Sequence, residues 1–343
     1  MTAPRRLRAL VPALVLGAAV LAACGGGGEN APSDPISQVP DADGIRTQVR
    51  AASAAKRSDF PAVEGRTLQK LADTVGGGGD QSVEMAMATS VFTPGTNRLA
   101  FGIIDASGFV YGKTAVYVAR SAGERARGPY VAPADALVTE PRYRSKQAAS
   151  DQAPFVAVYA AQVPFPRTGT WQVVAVTRRG EESVATTATV DVISRRADAI
   201  PEVGERAPEV ETDTPLDARG DITRIDTRQP PSDMHSPSFD TLVGRKPVAL
   251  LFATPQLCTS RVCGPVVDEA LQLRARYGDR IAFIHQEVYV DNDPNKGLRK
   301  PLQEFQLQSE PWLFVVGKDG RITARLEGSF GLAAFERALK TAL

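Results

Sequence analysis

The chain has 343 residues, of which 40 are Lys or Arg, 39 are Asp or Glu, and 43% are hydrophobic. This length gives room for about two globular domains, and the composition excludes a collagen, a disulfide-dense miniprotein and a wholly disordered chain. The formal net charge of +1, with no run of basic residues, argues against nucleic acid as a main partner, because binding phosphates requires clustered Lys and Arg.

The first 23 residues have the build of a secretion signal. Arginines precede an apolar run of 14 residues from 10 to 23, which is shorter than the roughly 18 residues needed to span a membrane. The run ends in Leu21-Ala22-Ala23-Cys24, which resembles the lipobox of bacterial lipoproteins. That resemblance implies removal of residues 1–23, a lipid on Cys24, and attachment to the extracytoplasmic face of the cell membrane. The alternative is ordinary cleavage with Cys24 incidental.

Residues 24–58 are rich in Gly, Pro and polar side chains at their start, and we predict a flexible tether there. Residues 59–80 predict one short helix, since Leu68, Leu71, Ala72 and Val75 recur at helical spacing, followed by a Gly-rich link. No chemistry is expected in the helix.

The range 81–195 predicts a β domain, because short runs rich in Val, Thr, Phe and Tyr alternate with Gly, Pro and Asn. Six strands without helices indicate an antiparallel sandwich. The loop that leads into the strand with Trp171 resembles the corner of an immunoglobulin-like domain. Residues 121–154 are predicted as a long polar loop. The predicted strands are 83–91, 98–105, 114–119, 155–163, 171–177 and 184–193.

Residues 196–236 are rich in Pro and acidic side chains, which predicts a connector. Within it, residues 201–208 resemble the V-G-x-x-A-P first strand of extracytoplasmic thioredoxin-like and peroxiredoxin-like proteins. We therefore place the second domain at 237–343, with a start near 200 if that strand belongs to it.

The C-terminal segment follows the order strand, helix, strand, helix, strand, strand, helix. Residues 248–253 form a continuous apolar run that predicts a strand buried on both faces, and residues 265–277 carry apolar side chains at helical spacing. Asp319-Gly320, between two further apolar runs, predicts a hairpin turn.

Three motifs in this segment resemble those of the thioredoxin family. Cys263-Gly264-Pro265 follows the C-G-P of its redox motif, Glu310-Pro311 stands where the family keeps a cis-proline beside the active site, and Lys318-Asp319-Gly320 matches its K-D-G hairpin. The resemblance implies a thioredoxin-like α/β fold. The whole chain is then a two-domain protein, an immunoglobulin-like β-sandwich followed by a thioredoxin-like domain.

The cysteine spacing departs from the family pattern. Val266 stands where the second cysteine of C-x-x-C would be, and Cys258 lies five residues before Cys263, so the pair is C-x4-C. A loop of four residues can bring two sulfurs within bonding distance. Cys263 would begin a helix, where the helix dipole favours thiolate, so we predict Cys263 as nucleophile and Cys258 as resolving thiol. Pro311, if cis, would present backbone to an extended substrate.

These features predict a thiol-disulfide oxidoreductase that exchanges with extracytoplasmic protein thiols and disulfides, without a cofactor. Two alternatives stay open. The pair could be a structural disulfide in a non-catalytic interaction or assembly lipoprotein. Alternatively, resemblance to the copper-delivery proteins of cytochrome oxidase assembly implies a copper site made by Cys258, Cys263 and His285, since soft thiolates suit Cu(I).

Overall fold

Two short helices precede the first strand. Helix α1 (Ile45–Ser53) buries Val49 and Ala52 in the core of the β domain. Helix α2 (Leu68–Thr74) begins after Thr67, whose hydroxyl accepts a hydrogen bond from the Lys70 backbone N–H at 3.2 Å, as expected for a capping threonine. The structure therefore differs from the tether predicted over 24–58, because from residue 34 onward this segment packs on the β domain through apolar side chains.

The structure is a computed structural model that describes Met1 and residues 34–75, 83–148, 155–258 and 262–343. Residues 34–343 form one compact unit. The predicted signal sequence and Cys24 lie outside the described residues. In the part of the chain that is described, no helix is long and apolar enough to cross a membrane.

Among the described residues, nine strands form the β domain, in two sheets whose pairings are all antiparallel. One sheet has the order β1-β2-β7-β6, with β3 paired to β2, and the other has the order β5-β4-β8-β9. The bounds are β1 Glu84–Met87, β2 Gly95–Asp105, β3 Gly108–Phe109, β4 Lys113–Ala119, β5 Arg127–Val131, β6 Ala134–Ala136, β7 Ala157–Phe165, β8 Gly169–Arg179 and β9 Glu182–Val192.

Side chains from both sheets share one core, which includes Val118 of β4, Val163 of β7 and the buried Trp171 of β8. Each of the six predicted strands overlaps a strand of this domain. The immunoglobulin-like corner at Trp171 remains a prediction. The polar loop predicted over 121–154 is wrong in part, since β5 and β6 lie inside it. Both strands are short and poor in β-branched residues, so their pairing with β4 and β7 rather than their composition defines them.

The C-terminal part has the thioredoxin-like order of elements. A four-stranded sheet runs β11-β10-β12-β13, with β10 parallel to β11 and antiparallel to β12. The bounds are β10 Val248–Phe252, α3 Cys263–Tyr277, β11 Ala282–Gln286, α4 Lys300–Glu304, β12 Trp312–Val316, β13 Ile322–Glu327 and α5 Leu332–Lys340. The order predicted from the sequence is thus confirmed.

Strand β10 is buried on both faces, as its unbroken apolar run predicts. Because successive side chains of a strand point to opposite faces, Leu251 packs with Val266 of α3 and Phe335 of α5, whereas Leu250 and Phe252 pack in a separate cluster on the other face. This arrangement fixes the end of β10, and the loop that follows it, against α3.

The connector predicted over 196–236 belongs to the thioredoxin-like domain. Its backbone pairs with the turn before β13 and with the start of that strand: the Gly204 N–H donates to Ile322 O at 2.8 Å, and the Ala207 N–H donates to Gly320 O at 3.0 Å. Two polar side chains of the same segment, Asp226 and His235, are fully buried. The start of the domain near residue 200 therefore fits the structure better than the start at 237.

Candidate functional site

Cys258 and Cys263 lie at the junction of β10 and α3. The Cys258 N–H donates to Thr254 O at 3.1 Å in the turn after the strand, and Cys263 is the first residue of α3. Both are thiols, in hydrogen-bond contact with each other. The spacing thus brings the two sulfurs together, while residues 259–261 lie outside the described ranges.

The environment of Cys263 differs from the predicted one. Its side chain is 0% exposed, and burial, followed by the hydrogen bond and charge of Cys258, raises the pKa of the Cys263 thiol well above its usual range. A helix N-terminus favours thiolate, but here desolvation outweighs that effect. Cys258 is 8% exposed. Both cysteines are buried, and Cys258 is the less deeply buried of the two.

The residue before the cis-proline adds an acid to the site. The Glu310–Pro311 peptide is cis, and the Tyr289 hydroxyl donates a hydrogen bond to the Glu310 carboxyl. Burial, and then the charge of Cys258, raises the pKa of Glu310, although the hydrogen bond from Tyr289 acts in the opposite direction. Sequence reasoning used Pro311 and missed Glu310 and Tyr289, although the position of Glu310 next to Pro311 could have signalled its place.

The β domain lies against this part of the thioredoxin-like domain. The carboxylate of Glu327, at the end of β13, accepts hydrogen bonds from the Ser90 N–H (3.0 Å), the Ser90 hydroxyl (2.5 Å) and the Val91 N–H (3.1 Å). A Cβ atom on Gly328 would lie 1.6 Å from Ala88 O. The backbone of the β domain therefore packs directly against the backbone of the β13–α5 loop, and a side chain at residue 328 would not fit between them.

Two further contacts extend this interface to α3 and α5. A Cβ atom on Gly264, the residue after Cys263, would lie 2.6 Å from Gln147 O. Asp135 of β6 accepts from the N–H groups of Ala333 and Ala334 in the first turn of α5, at 3.2 and 2.9 Å. Both the loop after β13 and the start of α3 are thus covered by residues of the β domain.

A cavity of about 550 Å³ remains between the two domains beside the dithiol. Val262, which precedes Cys263, and Glu310 line it from the thioredoxin-like domain. Its walls on the other side come from β1, β2 and β3 and include Met87, Ile104 and Phe109. The cavity thus reaches the immediate neighbourhood of the two sulfurs.

The copper site implied by resemblance does not fit the structure. His285 is fully buried on β11, its Nε2 donates to Ala253 O at 3.0 Å, and its Nδ1 lies 3.5 Å from Asp226 Oδ2. Among the described residues, the His, Cys, Asp and Glu side chains whose ligand atoms converge within 4.8 Å are Asp226, His235 and His285, without either cysteine. The proposed ligand set Cys258, Cys263 and His285 is therefore not assembled.

The arrangement of Asp226, His235 and His285 is better explained by a protonated histidine than by a bound metal ion. A carbonyl can only accept, so His285 carries a proton on Nε2, and its Nδ1 faces the carboxylate. His235 Nε2 lies 2.9 Å from Asp226 Oδ2, and its Nδ1 has no partner. A metal on Nε2 would move the His235 proton to Nδ1, where a buried N–H would be left without an acceptor. A proton on His285 Nδ1 instead faces the Asp226 carboxylate, at 3.5 Å from Oδ2.

Replacing Asp226 by Asn is expected to lower the free energy of unfolding by about 3–5 kcal/mol, because one half of a buried charge pair is removed. Burial by itself lowers the pKa of His285, but the charge and hydrogen bond of Asp226 outweigh it and raise that pKa. Burial raises the pKa of Asp226, but His285 and His235 outweigh it and hold that pKa far below its usual range. Urea denaturation over a range of pH measures both effects.

The sign of the pH dependence follows from these shifts. The Asp226–His285 pair makes its full contribution to the free energy of unfolding below the unfolded pKa of His, about 6.5. That contribution is lost as the pH rises through the folded pKa of His285. The Asp226 contribution persists above about pH 4 and is lost only in strong acid. Asp291→Asn, in an exposed pair with Lys296, is the control and should leave the free energy of unfolding nearly unchanged. Equal losses for the two variants would contradict the assignment.

Comparison with known proteins finds no matching family model and no significantly similar curated protein. Among solved structures, a protein described as thiol:disulfide interchange protein DsbE from Chlorobium tepidum is 14% identical, with a TM-score of 0.30, over 41% of this chain and 98% of that chain. A thioredoxin family thiol:disulfide interchange protein from Chlorobium tepidum TLS is 18% identical, with a TM-score of 0.28, over 43% and 99% of the two chains.

A third structure, of a thioredoxin-like superfamily protein, is 14% identical, with a TM-score of 0.28, over 40% of this chain and 95% of that chain. These similarities concern about two-fifths of the chain. The thioredoxin-like fold of its C-terminal part follows from the strand order and pairing given above.

Proposed function

We propose that Cys258 and Cys263 form a thiol-disulfide redox couple that exchanges with an external disulfide or thiol. The observation that carries the proposal is the contact between the two thiols at the β10–α3 junction, where residue Cys258 is 8% exposed and Cys263 is 0% exposed. A protein disulfide is the partner that the resemblance to thioredoxins implies.

The roles of the two cysteines are the reverse of those expected from the sequence. The Cys258 thiolate attacks one sulfur of a partner disulfide, forms a mixed disulfide and releases the other partner sulfur as a thiol that takes up the proton. The deprotonated Cys263 sulfur then attacks Cys258 Sγ, which forms the internal disulfide and releases the second partner thiol. Two electrons and two protons pass to the partner. The same steps in reverse oxidise a partner dithiol.

The raised pKa of Glu310 supports this scheme, because a carboxyl group beside Cys258 could deliver a proton to the departing sulfur when it is protonated. The chemistry needs no metal or cofactor. Burial of Cys263 keeps the resolving sulfur as a thiol until the mixed disulfide forms next to it, since the raised pKa of Cys263 disfavours attack by that thiol from the resting state.

A structural staple is the second candidate function, and the complete burial of Cys263 favours it. In that case the pair closes the loop of residues 258–263 in a non-catalytic interaction or assembly protein. The two candidates differ in their reduction potentials, because structural disulfides lie below about −300 mV and exchange-competent pairs lie higher.

Equilibration of the purified protein with glutathione and dithiothreitol redox buffers measures that potential. We expect a value above about −300 mV for the Cys258–Cys263 couple, read from the mass of the alkylated protein. The Cys24→Ser variant serves as the background, so that only one pair of cysteines is counted. A value below −300 mV would establish the staple and exclude the redox role.

We also propose that the protein acts outside the cytoplasm, held to the membrane by a lipid on Cys24. The L-A-A-C sequence and the short apolar run before it support this location. The compartment agrees with the redox role, because disulfides form and persist in extracytoplasmic spaces.

A further inference from the structure

We propose that Glu269 of α3 is a pH-sensitive switch for the interface between the two domains. While the Glu269 carboxyl is neutral, the β domain stays packed on α3 and α5, and when that carboxyl loses its proton the interface loosens. This inference goes beyond the proposed function, because it concerns how the two domains are held together rather than what the dithiol reacts with.

Helix α3 carries three buried polar side chains near the β domain, and two of them have partners across the interface. The carboxylate of Asp268 accepts hydrogen bonds from the Ser145 N–H (2.9 Å) and hydroxyl (3.1 Å), and Gln272 Oε1 accepts from the Glu140 N–H at 2.8 Å. The third side chain, Glu269, is 0% exposed, and among the described residues neither of its carboxyl oxygens has a hydrogen-bond partner. Because a buried carboxylate without partners is costly, the neutral form of Glu269 is the one that suits this interface.

The charged groups that face Glu269 also favour its neutral form. Asp135 of β6 and Asp268 on the same helix are its anionic neighbours, and Arg98 of β2 is a cationic one. The Arg98 guanidinium, however, donates its hydrogen bonds to backbone oxygens at the end of β13 and in the loop after it. Burial, followed by the charges of Asp135 and Asp268, raises the pKa of Glu269 well above its usual range, and Arg98 opposes this only in part.

The charges at this interface balance while Glu269 is neutral. The charged side chains that act on one another around it are two cations and two anions, Arg98, Arg337, Asp135 and Glu327. The nearby Asp268 is paired with Arg228, whose Nε lies 2.8 Å from Asp268 Oδ1. Loss of the Glu269 proton therefore adds a further anion without a partner inside the interface, which is strongly unfavourable.

Loosening of the interface uncovers parts of the thioredoxin-like domain that the β domain covers. The Asp135 carboxylate accepts from two N–H groups in the first turn of α5, and the Gln147 backbone lies against Gly264 in the first turn of α3. Both contacts belong to the closed interface, in which the two cysteines are buried. Ionisation of Glu269 thus acts on the same surface that covers the start of α3.

The direction of the pH dependence follows from the raised pKa of Glu269. When the interface opens, this carboxyl meets water and its pKa returns to the ordinary value for Glu, about 4.3. The closed interface therefore loses stability as the pH rises above about 4.3, and the loss continues up to the raised pKa of the closed form.

Amide hydrogen exchange read by mass spectrometry tests the switch with the variant Glu269→Gln, which keeps the shape of the neutral acid. The probe is the segment 331–343, in which the N–H groups of Ala333 and Ala334 donate to Asp135. This segment does not contain residue 269, so its intrinsic exchange rates are the same in both proteins. We expect the ratio of exchange rates, unsubstituted protein over variant, to rise at least tenfold between about pH 5 and about pH 8.

Glu304→Gln is the matched control, because residue 304 is exposed at the end of α4. We expect its ratio to stay within twofold over the same range of pH. The amides of the core strand β10 report global unfolding, and their ratio should not follow that of α5. Any pH dependence that remains in Glu269→Gln arises from Asp135 and Asp268, because burial raises the pKa of both.

A ratio that stays constant with pH would overturn the switch, because ionisation of Glu269 would then cost the interface nothing. Equal changes in α5 and β10 would also overturn it, since the acid would then destabilise the whole fold rather than the interface. Glu269→Met, with an uncharged side chain of similar length, gives the same test if the Gln variant does not fold. Neither readout depends on the reduction potential of the dithiol, so the switch and the proposed function can fail separately.

Discussion

The Cys258→Ser variant is expected to lose disulfide exchange completely, whereas Cys263→Ser should accumulate a stable mixed disulfide. The reason is that the two cysteines are buried to different depths. Residue Cys258 is 8% exposed and Cys263 is 0% exposed, so we expect an external disulfide to meet Cys258 first. Without Cys263 the mixed disulfide on Cys258 cannot be resolved. Mass spectrometry after incubation with 4,4′-dithiodipyridine, without reductant, reports the adduct directly.

Both variants are made in the Cys24→Ser background, so that any adduct identifies its own cysteine. We expect one adduct on Cys263→Ser and none on Cys258→Ser at times when the unsubstituted protein is fully oxidised. The opposite pattern would restore the assignment made from the sequence, with Cys263 as the nucleophile. Adducts on neither variant would agree with the structural staple.

Gly328→Ala is expected to destabilise the protein by about 2–5 kcal/mol, the sum of overpacking and left-handed backbone strain. A Cβ atom at this position would lie 1.6 Å from Ala88 O, and the φ angle of Gly328 is +68°. Because the clashing atom is backbone, the side chain cannot turn away and the two domains must separate locally. The free energy of unfolding from urea denaturation measures the loss.

Gly244→Ala is the matched control. Gly244 has a similar φ of +75°, but a Cβ there would meet no atom within 4 Å, so the substitution adds only strain, about 1–2 kcal/mol. The difference between the two variants isolates the interdomain contact at Ala88. If the two variants lose the same stability, that contact contributes nothing and the β domain does not hold the β13–α5 loop.

The thioredoxin-like topology could be predicted because its signals are local. The unbroken apolar run of β10, the helical spacing after Pro265 and the Asp319-Gly320 turn each depend on neighbours in the sequence. The contact between Cys258 and Cys263 could be predicted for the same reason, since a short loop joins them.

The environment of the dithiol could not be predicted, because it depends on residues far away in the sequence. Gln147 lies against the start of α3, and Ala88 lies against Gly328. Together they show that the β domain covers this region. Likewise, the charge partner of His285 is Asp226, in a segment whose composition suggested a solvated connector. Tertiary packing, rather than local propensity, determined burial and pKa in both cases.

Arg98 of β2 donates from its guanidinium to the backbone oxygens of Glu327 and Ser329. Side chains of each domain thus form hydrogen bonds with backbone groups of the other domain across their interface. If either domain were replaced by that of a distant homologue, backbone groups of the other domain would lose their hydrogen-bond partners. We therefore expect substitutions along this shared surface to be tolerated best in compensating pairs.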